Sequence, residues 1–183
     1  MAIATNVSRV HAALQFKSQE PFYVSLGRPE PWEDDSNPPK EDGSITQMES
    51  LIGFKKAKRI SLARESYVEE PDYESITYKR KNYALIPDED AYAQNARYVY
   101  LEIQVMNDDF PQGEFRQVGL HTNVKSNEGK EILLPEEVTD QGFLQFVTNR
   151  RPQKRNQNVD ITIRYLINFT NDKQLSEQIE TPS

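Results

Sequence analysis

The sequence predicts a mainly β protein: an antiparallel, β-sandwich-like core with two short helices and long loops. Three observations carry that expectation. Two runs alternate with period two: Val99, Leu101, Ile103 and Val105 share one face of 98–105, and Val159, Ile161, Ile163, Tyr165, Ile167 and Phe169 share one face of 159–169. Ile76-Thr77-Tyr78 and Tyr83-Ala84-Leu85-Ile86 flank the polar residues 79–82 in the manner of a hairpin. The hydrophobic share is 36%, the charged share 28% and prolines number 11, a balance that fits a packed core carrying long excursions.

Taken in order, Thr5 or Asn6 can cap a helix over 5–16, with Val7, Val10 and Leu14 at helical spacing and Pro21 beyond its end. Residues 22–26 read as a strand that Gly27 and Pro29 stop. A proline-rich acidic loop follows over 27–43 and excludes regular structure. Ser44-Ile45-Thr46-Gln47 has the form of a capping box, and Met48, Leu51 and Ile52 on one face predict a second helix ending at Gly53. Further strands are expected at 59–63, 115–122 and 143–148. The run 159–169 reads as one strand about 35 Å long, which must bend or cross the whole sheet. On this reading 1–170 form a single β-rich domain and 171–183 a polar C-terminal tail that frays.

Composition narrows the function. A net charge of −7 with a pI near 5.0 opposes salt-driven attachment to nucleic acid or to an anionic membrane, and no apolar run is long enough to span a bilayer. The N-terminus has no signal-peptide pattern, so cytosolic synthesis is expected. The chain has no cysteine, and His11 and His121 stand far apart without carboxylates at ligand spacing, so neither a metal site nor a cofactor is expected. His11 is placed on a helix flank and His121 on the outer face of a strand. Glu33, Asp34 and Asp35 read as a solvated acidic loop, lacking the spacing of a calcium loop. Ser25 and Ser61 lack nucleophile-elbow glycines, and no glycine loop cradles phosphate, so no enzyme is expected. The basic clusters 55–59 and 150–155 carry no interleaved aromatic residues; pairing with acidic loops of a protein partner fits them better than nucleic acid.

The lone Trp32 lies between prolines on a stiff segment, beside Arg28, whose guanidinium can fork onto a carboxylate. Trp and Arg commonly anchor interfaces. Two arrangements stay open: Trp32 is presented to a neighbour, or it folds back and plugs the end of the sandwich. Tyr98 and Tyr100, on the polar face of their strand, and Arg150 and Arg151, in a corner between two strands, complete the candidate protein interface.

FYVSLGRPEPWEDDSNPP, residues 22–39, resembles the opening signature of a baseplate wedge family of contractile-tailed bacteriophages, represented in the T-even phages by a dimeric wedge protein. MESLIGFKK at 48–56, FRQVGLHTN at 115–123 and the stretch 142–169, with Asn149-Arg150-Arg151-Pro152, resemble later parts of the same pattern in the same order. The chain resembles a short form, lacking a large insertion between the central strands. The resemblance implies a non-enzymatic structural subunit of the virion tail, made in the host cytoplasm, whose partners are other baseplate or tail proteins and, by analogy, a second copy in a homodimer. It implies scaffolding of those neighbours during assembly and contraction. The alternative is a carbohydrate- or receptor-binding β-sandwich module of a virion, which would need aromatic rings in an open platform.

Overall fold

The computed structural model describes residues 4–67, 70–126, 129–156, 158–170 and 174–180. Among them the helix is α1 (Asn6–Lys17), and short 3-10 turns lie at Asp88–Asp90 and Pro135–Glu137. The strands begin with β1 (Phe22–Gly27), β2 (Leu51–Lys56), β3 (Arg59–Ser66), β4 (Ser75–Tyr78), β5 (Lys81–Ile86) and β6 (Tyr98–Val105). Then follow β7 (Gly113–Thr122), β8 (Lys125–Ser126), β9 (Ile132–Leu133), β10 (Val138–Asp140), β11 (Phe143–Arg155), β12 (Ile161–Asn168) and β13 (Gln174–Glu180). The mainly β, antiparallel class is the one the alternating patterns predict. The chain divides into two compact units.

The first unit holds α1, β3 to β5, β6 as far as Glu102, β12 from Thr162, and β13. Its sheet runs β13-β12-β6-β3-β5-β4. Thr5 caps α1, its hydroxyl accepting from the Ser8 N–H at 3.2 Å. The helix buries Val10, Ala13 and Phe16, a three-residue spacing, while Val7, expected on the apolar stripe, is 65% exposed. Lys17 pairs with Asp88 at 2.8 Å, and the Phe16 and Phe169 rings meet at 5.8 Å. The β4–β5 hairpin turns through Lys79 and Arg80, both at positive φ, which is the conformation a two-residue hairpin loop requires.

In β6 the predicted apolar face is buried: Val99, Leu101, Ile103 and Val105 are fully enclosed. The opposite face is not open as the alternation suggests. Tyr100 is only 1% exposed and packs with Ala63, Tyr78, Tyr83, Leu85 and Leu166, while Tyr98 is half-buried with its ring 5.4 Å from that of Tyr83. Tyrosines on neighbouring strands cover one another laterally, so the second face of the sheet carries its own packed layer. The strand predicted over 159–169 is shorter, β12 covering Ile161–Asn168. Part of the segment expected to fray, 174–180, is strand β13, which satisfies its backbone against β12 in the register Ile163↔Ile179 and Ile167↔Leu175. The remainder of the expected tail, 171–173 and 181–183, lies outside the described residues.

The second unit contains the sheet β11-β7-β1-β2-β9 and the small ribbon β10-β8. Strand β1 is buried at every position, because β2 and β7 flank it and side chains cover both of its faces. Tyr23, Phe54 and Leu133 form one cluster. The second helix does not form: 44–50 are turn and loop, and the run from Leu51 pairs with β1 as strand β2, with a register shift at Leu26/Gly27. A short apolar run fits either period, and hydrogen bonding to β1 decides it.

Lys55 and Arg155 are buried cations that lock this unit. Lys55, read from sequence as part of a basic surface cluster, is 7% exposed at its side chain and sits 3.0 Å from the Asp109 carboxylate, itself 5% exposed. Arg155 donates to the carbonyls of Pro111 at 2.5 Å and Phe110 at 2.8 Å and lies 5.2 Å from the Phe110 ring. Together they tether the 106–112 connection to the sheet.

Candidate functional site

The loop after β1 begins with Arg28 in the left-handed region, φ 54°, its N–H bonded to the Ser50 carbonyl at 3.0 Å. From there prolines at 29, 31, 38 and 39 restrict the chain, and short side chains close local turns. Asp34 accepts from the Ser36 N–H and hydroxyl at 2.9 and 2.6 Å, and Asp42 from those of Ser44 at 2.8 and 2.7 Å. These bonds favour the ionised form and hold both carboxyls below the usual carboxylate range.

The loop is fastened to the sheet by side chains of β7 and β11. Arg116 grips both oxygens of Asp35 at 2.8 Å each, donates to the Pro29 carbonyl at 2.5 Å, and reaches Glu114 at 2.8 Å. Its side chain is 3% exposed. The guanidinium keeps Asp35 below the ordinary range, chiefly through that hydrogen bonding. Arg151 donates to the Ser36 carbonyl at 3.0 Å, and Asn149 reaches Glu41 through its N–H at 3.1 Å and Pro39 through its amide at 3.0 Å. Residues 149–152 are therefore not a corner between strands. They lie within β11 as a bulge, since the register passes from Asn149↔Gln117 to Gln153↔Phe115. The extra residues turn Arg150 and Arg151 to the loop.

Trp32 leans on that bulge and stays part-exposed, fastened without being enclosed. Its indole N–H donates to the Arg150 carbonyl at 2.8 Å and its backbone N–H to Asp35 at 2.8 Å. The Arg28 guanidinium stacks over the ring at 3.9 Å. Beside the pair is a cleft of about 280 Å³ whose walls include Arg28, Trp32, Pro39, Ile45, Val147 and Asn149. Of the residues proposed from sequence, Arg28, Trp32 and Arg150 come together here and Arg151 ties the same loop. Tyr98 and Tyr100 belong to the other unit, and Tyr100 is enclosed, its hydroxyl donating to Glu102 at 2.7 Å. Burial pushes its phenol pKa well up.

Sequence reasoning missed Arg116 and Asn149 as the loop's fasteners. An arginine within a predicted strand, FRQVGLHT, was the available signal. It also misplaced His121, which is fully buried rather than on an outer face. Its Nδ1 faces the Gln141 carbonyl at 3.1 Å and so carries the proton, leaving Nε2 to accept from the Ser25 hydroxyl at 2.8 Å. The Met48 sulfur packs on Ser25 at 2.9 Å. Burial lowers the imidazole pKa from 6.5 to about 4. Serine and histidine here are both fully enclosed, which suits a pin through the sheet and denies access to a substrate. Gly119 is part of that pin, because a Cβ there would lie 2.8 Å from both His121 Nε2 and Ser25 Oγ.

Comparison with known proteins adds two findings. Residues 1–169 match the family described as "Baseplate wedge 3 tail fiber network component". A relative described as "Virion protein 3", from Enterococcus phage phiEF24C, is 42% identical over 182 residues, which cover 97% of this chain and 100% of the relative.

Proposed function

Because this chain belongs to the family of baseplate wedge 3 tail fiber network components, and is thus a structural protein of a phage baseplate in the virion, we propose that it acts as a scaffold holding neighbouring baseplate proteins in register during tail assembly and contraction. The strapped loop carries the reading. Trp32 is held by Asp35 and the Arg150 carbonyl, and Arg28 by the Ser50 carbonyl and the Trp32 ring, before any partner arrives, so docking would cost little ordering entropy. An Arg-over-Trp pair on a fixed edge is the type of group that anchors protein interfaces.

A sugar-binding role is supported less, since that role needs open aromatic platforms. The tyrosine cluster of the first unit is enclosed, and Arg28 covers the Trp32 ring. The test is genetic complementation of a phage lacking this protein, with Trp32→Ala and Arg28→Ala variants that fold normally in isolation. Loss of complete baseplates by electron microscopy supports docking through the loop. Full complementation by both variants would remove the loop from the assignment.

A further inference from the structure

The cleft beside Trp32 carries two cations, Arg28 and Lys40, that make no hydrogen-bonded ion pair among the described residues. Arg28 Nε is buried and has no hydrogen-bond acceptor among the described residues. The acid that feels its charge, Asp35, is committed by hydrogen bonds elsewhere: Arg116 forks onto both oxygens and the Trp32 N–H shares one of them, so Arg28 has only a through-space attraction to it. Lys40 also lines the cleft and is exposed, with no ion pair among the described residues. Two acids line the same space. Asp42 is turned onto Ser44, and Glu49 is exposed. Between these charges the walls are Trp32, Pro39, Ile45 and Val147, which suit the methylenes and backbone of an extended peptide.

We propose that this cleft receives the carboxylate of a single Glu or Asp borne on an otherwise uncharged, extended segment of a neighbouring baseplate protein. The fork of Arg28 takes the carboxylate, Trp32 holds the fork in plane, and Lys40 supplies the long-range attraction. The surrounding loop limits the choice of partner. Glu30, Glu33, Asp34 and Glu41 lie along it, so a nucleic acid or a polyacidic strand is repelled while one isolated carboxylate is admitted. This inference rests on the docking role proposed above and names the chemistry that the partner must offer.

The chain's only tryptophan stands in the site, so its emission reports binding directly. The full chain is titrated with the blocked peptide acetyl-Gly-Pro-Glu-Pro-Gly-amide, with its Gln counterpart, and with inorganic phosphate. The Glu peptide is expected to give a saturable change in Trp32 emission. The Gln peptide should bind about tenfold or more weakly, as loss of a charge-assisted fork predicts. Arg28→Gln should abolish the difference between the two peptides, and Arg28→Lys should retain only part of it; a thermal melt of each variant confirms the fold. Equal binding of the Glu and Gln peptides, no saturable response to either, or phosphate competing as well as the Glu peptide would each overturn the assignment. Complementation separates the two readings. If Arg28→Gln blocks assembly but the peptides do not bind, docking stands and the carboxylate falls; if the Glu peptide binds and assembly is normal, the site stands and its use in docking falls.

Discussion

Arg116, in the middle of β7, holds both carboxylate oxygens of Asp35 from a position 81 residues away in sequence. That fork, with the bond from the same guanidinium to the Pro29 carbonyl, converts a proline-rich acidic segment into a fixed part of the sheet. Arg116→Ala should therefore destabilise the protein by about 2–4 kcal/mol, and Asp35→Asn by less, because the arginine then keeps its other acceptors. Denaturant midpoints measure the loss. Trp32 emission should shift in both variants even where the protein remains folded.

Trp32→Phe keeps the ring under Arg28 and removes the donor to the Arg150 carbonyl. The cost should be about 1 kcal/mol. Arg151→Ala, which loses only the bond to the Ser36 carbonyl on an exposed side chain, should cost less still in isolation. Stability curves of the two variants give the ranking, and a larger loss for Arg151→Ala would contradict it.

His121 makes stability depend on acid. Its pKa falls from 6.5 to about 4 on folding, so between these values the unfolded chain binds a proton that the folded chain does not. The contribution is complete above pH 6.5 and is lost as pH falls toward about 4, amounting to about 3 kcal/mol. Asp34 and Asp35, held low in the fold, add their own loss only below the ordinary carboxylate value of 3.8. Urea midpoints across this window should slope downward with acid, and His121→Gln should flatten the upper part of the slope while lowering stability at neutral pH.

The Lys55–Asp109 pair tests a different balance. Removing one partner, as in Asp109→Ala, leaves the buried Lys55 with only the exposed Glu131, 3.7 Å away, as counter-charge and should cost about 3 kcal/mol, the lower end for a broken buried pair. The double variant Lys55→Met, Asp109→Leu should recover a substantial part of that. Recovery is read from a thermodynamic cycle of the single and double variants.

The parts of this fold that sequence shows are those with local periodicity. Val99 through Val105 alternate over a full strand, and Ile76 to Ile86 bracket a polar turn, so β6 and the β4–β5 hairpin could be placed from the residues alone. Tyr100 could not, because its burial depends on Tyr78, Tyr83 and Leu166 arriving from three other strands. The 48–52 run was misread because Met48, Leu51 and Ile52 satisfy a helical stripe as well as they satisfy strand β2 and its approach. Arg28 and Trp32 were legible through the Gly-Arg-Pro hinge and its prolines. Their fastening was not, since Arg116 reads as an outward strand residue until Asp35 is seen beside it. His121 failed for the same reason: the face it occupies is sealed by Met48 and Gln141, both distant in sequence.

Strand β11 is the outer strand of its sheet, and two of its main-chain groups, the Asn149 N–H and the Arg150 carbonyl, are already occupied by Glu41 and Trp32. Those are groups that an incoming chain would need in order to extend the sheet by one more strand. The strapped loop thus works against aggregation. An incoming strand is hindered at this bulge from extending the sheet edge to edge.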